Sequence, residues 1–200
     1  MITGEENQRI TRRWWLIGFV ALSLSACGGA TGVTSNDDEP LTPANTATNG
    51  FGTNRAPQGA VLTGQVVRVV DGDTVRVLVD GATEDISVRL IGIDTPETVA
   101  PGKPVECFGP EATAFAEQQL SGQRVLIELD VSQGETDRFD RTLGYVWTEQ
   151  DGALRLFNLD AVAEGFAIEY TYDDDYTWQQ EFQQAQTDAA RDGLGLWSAC

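Results

Sequence analysis

VLTGQVVRVVDGDTVRVLVDGATEDISVRLIGI, residues 61–93, is the stretch whose reading decides the fold. Val61 to Val70 is rich in β-formers and ends at Asp71-Gly72-Asp73, a turn signature. Thr74 to Val79 returns as a second strand, with Val75, Val77 and Val79 alternating. Asp80-Gly81 opens the next turn and Ile86 to Ile93 makes a third strand. Three strands joined by tight turns predict an antiparallel meander.

Downstream the period changes. Pro110 suits a first helical turn, Ala112, Phe115, Ala116 and Leu120 line one face, and Gly122 closes the helix. Val125 to Leu129 and Thr142 to Trp147 read as the fourth and fifth strands, separated by a polar loop. A second helix is expected from Asn158 as N-cap to Gly165, and a third from about Thr177 to Gly193 with Trp178, Phe182, Ala185 and Ala189 on one stripe. Five strands and three packed helices predict an α+β protein built on a small β-barrel of OB type.

The first sixty residues belong to a different regime. Arg9, Arg12 and Arg13 precede an apolar run from Trp14 to Leu24, followed by Ser25-Ala26-Cys27. A basic segment, a short apolar segment and small residues at its exit make a secretory signal, too short for a comfortable membrane span. Leu24-Ser-Ala-Cys27 resembles the lipobox of prokaryotic lipoproteins, which implies a signal peptide over residues 1–27 and lipidation of Cys27. An ordinary signal peptide with a chance cysteine is the alternative. Thr11-Arg12-Arg13 also resembles a twin-arginine export signal. Residues 28–59, rich in Gly, Thr, Asn, Ala and Pro, cannot bury enough surface to offset ordering and are expected to be a flexible tether. The expected location is therefore the cell surface or the periplasm, anchored to a membrane through Cys27.

With Cys27 so assigned, Cys107 and Cys200 remain as an even pair in an exported protein, and a disulfide between them is expected. Closing so long a loop would contribute on the order of 4 kcal/mol in the chain-entropy view.

The chain contains no histidine. That removes Ser-His-Asp and Cys-His nucleophiles, histidine proton shuttles and histidine-ligated metals. Hydrolysis would have to use carboxylates, arginines and a cation that prefers oxygen, such as Ca²⁺, Mg²⁺ or Mn²⁺.

Three polar clusters at strand ends supply those groups. They are Asp71-Gly-Asp73, Arg89 with Asp94-Thr-Pro-Glu97, and Asp137-Arg-Phe-Asp-Arg141. Each alone reads as a turn, a loop start or a solvated edge. Together they match phosphodiester hydrolysis, which needs a Lewis acid, a base for water and cations for charge on the equatorial oxygens. Asp73 and Asp94 can hold a hard cation, Glu97 can orient or deprotonate water, and Arg89 and Arg141 can clamp phosphoryl oxygens.

The motifs VDGDT (Val70 to Thr74), RLIGIDTPE (Arg89 to Glu97), FGPEA (Phe108 to Ala112), DRFDRTLGYV (Asp137 to Val146) and GLGLW (Gly193 to Trp197) stand in order across residues 61–197. In this series the chain resembles the thermonucleases, the staphylococcal-nuclease-like proteins. The resemblance implies an OB-fold domain over residues 60–200 and a nuclease that uses one Ca²⁺ ion. Its substrates would be DNA and RNA, with the P–O5′ bond cleaved to leave 3′-phosphates. It implies Asp73, Asp94 and the Thr95 carbonyl as calcium ligands, Arg89, Glu97 and Arg141 as catalytic residues, and Asp71 acting through water. It further implies Tyr170 and Tyr172, with Arg138, at the bound nucleotide. A monomer is expected. Departures from the family pattern are Arg138 where lysine is frequent, Asp140 where glycine is usual, and Lys103 as the one basic residue near Pro101 to Pro104. Asp140, next in sequence to Arg141, could pair with it and restrain or misdirect it.

Residues 60–200 hold 26 Asp and Glu against 9 Lys and Arg, so they carry −17 of the total −18. Nucleic-acid binders ordinarily gain affinity from basic surface. Two readings stand: a local positive pocket on an acidic body, or work in high salt, where screening shortens to ~3 Å at 1 M. The same barrel could also serve without catalysis, as a nucleic-acid or protein-binding module, or as a lipoprotein that binds Ca²⁺ for stability alone.

Overall fold

The computed structural model describes residues 55–98, 102 and 104–200. The signal segment with Cys27, most of the tether, and Lys103 lie outside the described residues.

Strands β1 (Val61–Asp71), β2 (Thr74–Val79) and β3 (Ile86–Leu90) form the expected antiparallel meander. Val66, Val69, Val75, Val77, Val88 and Leu90 turn inward and are buried. β1 is long enough to pair with β2 on one side and with β5 (Arg124–Glu128) on the other. Its register shifts between Val66 and Arg68 and again between Val69 and Asp71, and such irregularities let a strand bend around a barrel corner. β5 pairs with β6 (Thr142–Gln150), and β6 returns to β3 through a parallel pairing of Val88, Arg89 and Leu90 with Thr142, Leu143 and Gly144. The ring β1-β2-β3-β6-β5 is thus closed, a five-stranded barrel of the predicted kind.

The third strand is shorter than the sequence suggests. The expected run to Ile93 breaks at Gly92, whose φ is +79°. Only glycine takes that angle freely, and an added Cβ would lie 2.7 Å from the Tyr176 ring. β4 (Ile93–Asp94) therefore leaves the barrel in a new direction and pairs with β8 (Ile168–Glu169). This bend puts Asp94 on the rim rather than in the ladder.

Three further elements were not anticipated: β7 (Ala153–Leu156), which pairs with β6 across the Asp151-Gly152 turn, β8, and a final turn α4 (Leu196–Ala199). The helices α1 (Gly109–Leu120) and α3 (Gln179–Asp192) lie as expected, α3 ending at Gly193 with φ +64°. α2 (Phe157–Ala163) corrects the reading of Asn158, which sits inside the helix, with Leu156 at the N-cap position. Asn158 is fully buried. Its side chain accepts from the Val146 N–H (2.9 Å) and donates to the Ile91 carbonyl (2.9 Å), joining the barrel to the bend at Gly92.

Trp147, Tyr145 and Phe182 are the largest fully buried side chains, and Phe115 of α1 stacks on Phe166 at 4.2 Å between ring centroids. Cys107, ahead of α1, is disulfide-bonded to Cys200, as the cysteine count predicts. Gln58 and Gly59 donate their N–H groups to the buried Glu128 carboxylate at 2.7 and 3.0 Å, so hydrogen bonding to the barrel starts before β1.

Candidate active site

Arg89 stands near the end of β3, opposite Thr74 of β2 on one side and Leu143 of β6 on the other. Its side chain is 15% exposed and its donors are directed. One terminal nitrogen donates to the Leu90 and Ile93 carbonyls, both at 2.7 Å, which fixes the guanidinium under the bend. The other lies 3.1 Å from Asp94 Oδ1 and 3.2 Å from Asp73 Oδ2. Two carboxylates from separate segments thus share one nitrogen of a single cation.

Asp73 is buried and densely contacted. Thr95 donates to Oδ2 from its N–H (3.2 Å) and its hydroxyl (3.3 Å), and the Thr74 hydroxyl donates to Oδ1 (2.9 Å). The same Thr74 oxygen accepts from Arg141 at 3.3 Å. A continuous polar chain results: Arg141, Thr74, Asp73, Arg89, Asp94. It brings together residues of three sequence clusters, and Thr74 is the link that motif reading left without a role.

Arg141 is held by Asp137. Its Nε and a terminal nitrogen reach Asp137 Oδ2 at 2.7 and 2.6 Å, while its own N–H donates to Oδ1 at 3.0 Å. Burial alone would raise Asp137, but hydrogen bonds from Arg141 and from the Phe139 N–H more than offset it and hold the carboxyl below its ordinary range. The expected partner, Asp140, is not the one that pairs with Arg141. Asp140 occupies the left-handed region at φ +61°, the tight turn of the loop, where glycine costs least and aspartate is tolerated. The restraint on Arg141 comes from four residues upstream of it.

A cavity of about 490 Å³ opens beside this chain. Arg89, Asp94, Arg138, Arg141, Tyr170 and Tyr172 all line it. Tyr170 and Tyr172 are 43% and 64% exposed, with ring centroids 6.2 Å apart, so their faces remain available at the mouth. Exposed Phe139 sits under the Arg138 guanidinium at 4.7 Å and the Arg141 guanidinium at 5.4 Å, a cation–π arrangement that keeps both arginines over the opening. Arg89, Arg138 and Arg141 bring three cations to a cavity whose lining also carries Asp94, Asp137, Asp173 and Asp174. Asp71, Asp73, Thr95 and Glu97 are not part of the lining. Asp73 joins it through Arg89, and Glu97 lies on the loop leaving β4.

The carboxylates here are crowded. Asp71 is pushed up to about 7 by burial and then by the charge of Asp73. Asp94 is raised by burial, then by Asp73, with Arg89 opposing and Glu106 and Glu97 adding to the rise. Such crowding is what a bound cation relieves. Among the described residues, no three or more His, Cys, Asp or Glu side chains converge to hold a metal by themselves. The donor set is all oxygen and fits a hard cation resting on two carboxylates, with backbone and water completing its shell, rather than a closed protein cage.

Sequence comparison agrees with the geometry. The family model described as "Staphylococcal nuclease homologue" matches residues 87–199. The chain is 40% identical to a thermonuclease of Staphylococcus hyicus over 67% of its own length and 75% of that protein's. It is 39% identical to a thermonuclease of Staphylococcus intermedius over 66% and 74%. It is 38% identical to a micrococcal nuclease of Shigella flexneri over 71% and 77%.

Proposed function

The chain belongs to the staphylococcal nuclease family, and from that premise we propose that it is a calcium-dependent nuclease hydrolysing phosphodiester bonds of DNA and RNA. The observation that carries this reading is the convergence of Arg89 and Arg141 on one cavity, tied together through Thr74 and Asp73.

In this reading a nucleotide stacks at Tyr170 and Tyr172, with Arg138 beside it, and presents its 5′-phosphodiester to the two arginines. Asp73, Asp94 and the Thr95 carbonyl hold Ca²⁺, which supplies Lewis-acid stabilisation of the phosphoryl oxygens when bound. Asp71 supports that site through water. Glu97 takes a proton from water as its oxygen bonds to phosphorus. Arg89 and Arg141 stabilise charge on the equatorial oxygens, directed there by the Leu90 and Ile93 carbonyls and by Asp137. The P–O5′ bond breaks, O5′ leaves and is protonated by solvent, and the other fragment keeps a 3′-phosphate.

The protein is exported and tethered to a membrane through a lipid on Cys27, with residues 28–59 as the spacer and residues 60–200 as a monomeric catalytic domain. The basic-apolar-cysteine order of residues 9–27 supports this location. The Cys107–Cys200 disulfide fits an oxidising compartment. Among the described residues no helix is long and apolar enough to cross a membrane.

Digestion of DNA and RNA with Ca²⁺, with chelator, and with Glu97→Gln tests the function. Cleavage that needs Ca²⁺ and collapses in the variant supports it. Absence of cleavage under every divalent metal would leave the non-catalytic binding module as the better reading.

A further inference from the structure

We propose that Glu106 is a positioning residue for Glu97. The contact stands on geometry alone; its consequence for rate rests on the nuclease reading above.

Glu97 and Glu106 clasp each other across the loop between them. The Glu97 N–H donates to Glu106 Oε2 at 3.0 Å, and the Glu106 N–H donates to the Glu97 carbonyl at 2.9 Å. The first of these bonds uses a side chain, so residue identity at 106 decides whether it forms. Glu106 is itself secured on its far side. Its carbonyl accepts from the Gly109 N–H at 3.1 Å, and the neighbouring Cys107 is bonded to Cys200. Gly109, the first residue of α1, lets the helix sit directly beneath this clasp. A Cβ there would lie 2.7 Å from Thr98 Cγ2, 3.0 Å from the Pro96 carbonyl oxygen and 3.2 Å from that of Glu97. The main chain of Glu97 is therefore seated on the start of α1, with the Glu106 carboxylate as the strap over it.

A general base needs placement to within a fraction of an ångström, and an error of about 1 Å costs on the order of 10²-fold. Because the bond from the Glu97 N–H to Glu106 is exposed to solvent, losing it should cost little stability while still loosening Glu97.

The test compares Glu106→Ala and Glu106→Gln in the full chain. It reads amide hydrogen exchange at Glu97, kcat and KM on DNA with Ca²⁺, and Tm. Glu106→Ala should speed exchange of the Glu97 amide several-fold and lower kcat roughly ten-fold. KM and Tm should stay near wild type. Glu106→Gln keeps an oxygen acceptor and should recover most of both losses. Adding Glu97→Gln to Glu106→Ala should cost less than it does alone, since a misplaced base has less to lose. Unchanged exchange at Glu97 in the alanine variant overturns the proposal. So does a glutamine variant as slow as the alanine one, which would assign the effect to charge. If the wild type cleaves nothing, the nuclease reading falls, and the exchange measurement still decides whether Glu106 holds Glu97.

Discussion

Two groups of carboxylates sit in this barrel, and they are treated in opposite ways. In the first, which we call the floor, Glu128 is 1% exposed and accepts four donors: Trp147 and Trp178 Nε1–H at 2.8 and 3.3 Å, and the Gln58 and Gly59 N–H groups. Asp130 beside it accepts from the Tyr145 hydroxyl, the Thr177 N–H, and the Ser132 N–H and hydroxyl, all within 2.9 Å. At the rim, Asp73 and Asp94 share one arginine while Asp71 crowds Asp73. Burial pushes Asp130, Asp71 and Asp94 toward the neutral acid. On the floor, neutral donors override that push, and Asp130 is held at about 2. On the rim, like charges add to it, and Asp71 is pushed up to about 7. A carboxylate satisfied by hydrogen bonds holds segments together, whereas one left in conflict with its neighbours is available for a cation or a substrate.

The comparison can be broken at either end. Arg89→Ala removes the cation between Asp73 and Asp94, and cleavage should fall on the order of 10³-fold. Its unfolding free energy should change far less than that loss of activity implies; comparable collapse of fold and rate would mean that the rim is structural after all. On the floor, Glu128→Ala orphans two indole donors and two backbone N–H groups. It should cost on the order of 3 kcal/mol, a fall in Tm of roughly 10 °C for a domain of this size. Folded protein should retain its kcat.

A milder probe sharpens the rim. Ca²⁺ at about a hundred times its dissociation constant should stabilise the wild type by ~2.7 kcal/mol. Asp94→Asn should lose that gain while raising the metal-free Tm slightly, because one repelling charge is gone. A metal-free protein destabilised by Asp94→Asn would show that the crowding had been misjudged. The smallest effect is the acid limb of Asp130. Its folded pKa lies below the unfolded one, so the stabilisation it provides is complete above about pH 4 and lost as pH falls toward 2. Asp130→Asn should flatten that part of the stability profile.

The floor and the rim also differed in how legible they were. β1, β2 and β3 announce themselves because alternating valines need no long-range information. Arg89, Asp94 and Arg141 stand out in the sequence because their clusters are short and chemically distinctive, and all three line one cavity. Glu128 and Asp130 carried no such mark. Their roles depend on Trp147, Trp178 and Thr177, which arrive from 19, 50 and 47 residues away. Asn158 has the composition of a helix cap, yet tertiary burial gave its amide another use. β7 was within reach, since Asp151-Gly152 is a hairpin signal, but Ala153-Leu-Arg-Leu156 is too short to assert a strand alone. Asp137 reaches Arg141 from four residues away across a tight turn, a contact that adjacency in the sequence, which favours Asp140, does not reveal.

Glu128 also holds the start of the domain against the chain that precedes it. The chain enters the fold at Gln58 and Gly59, where both N–H groups end on Glu128, and Leu129 donates its N–H to the Ala60 carbonyl at 2.8 Å. A tug transmitted from upstream would meet this anchorage before the turn that carries Asp71 and Asp73 at the far end of β1. Glu128, clamped between two tryptophans, then acts as a strain relief, like the grip where a cable enters its plug. A pull from the preceding chain would load Glu128 while Arg89, Arg141 and the acids around them keep their alignment.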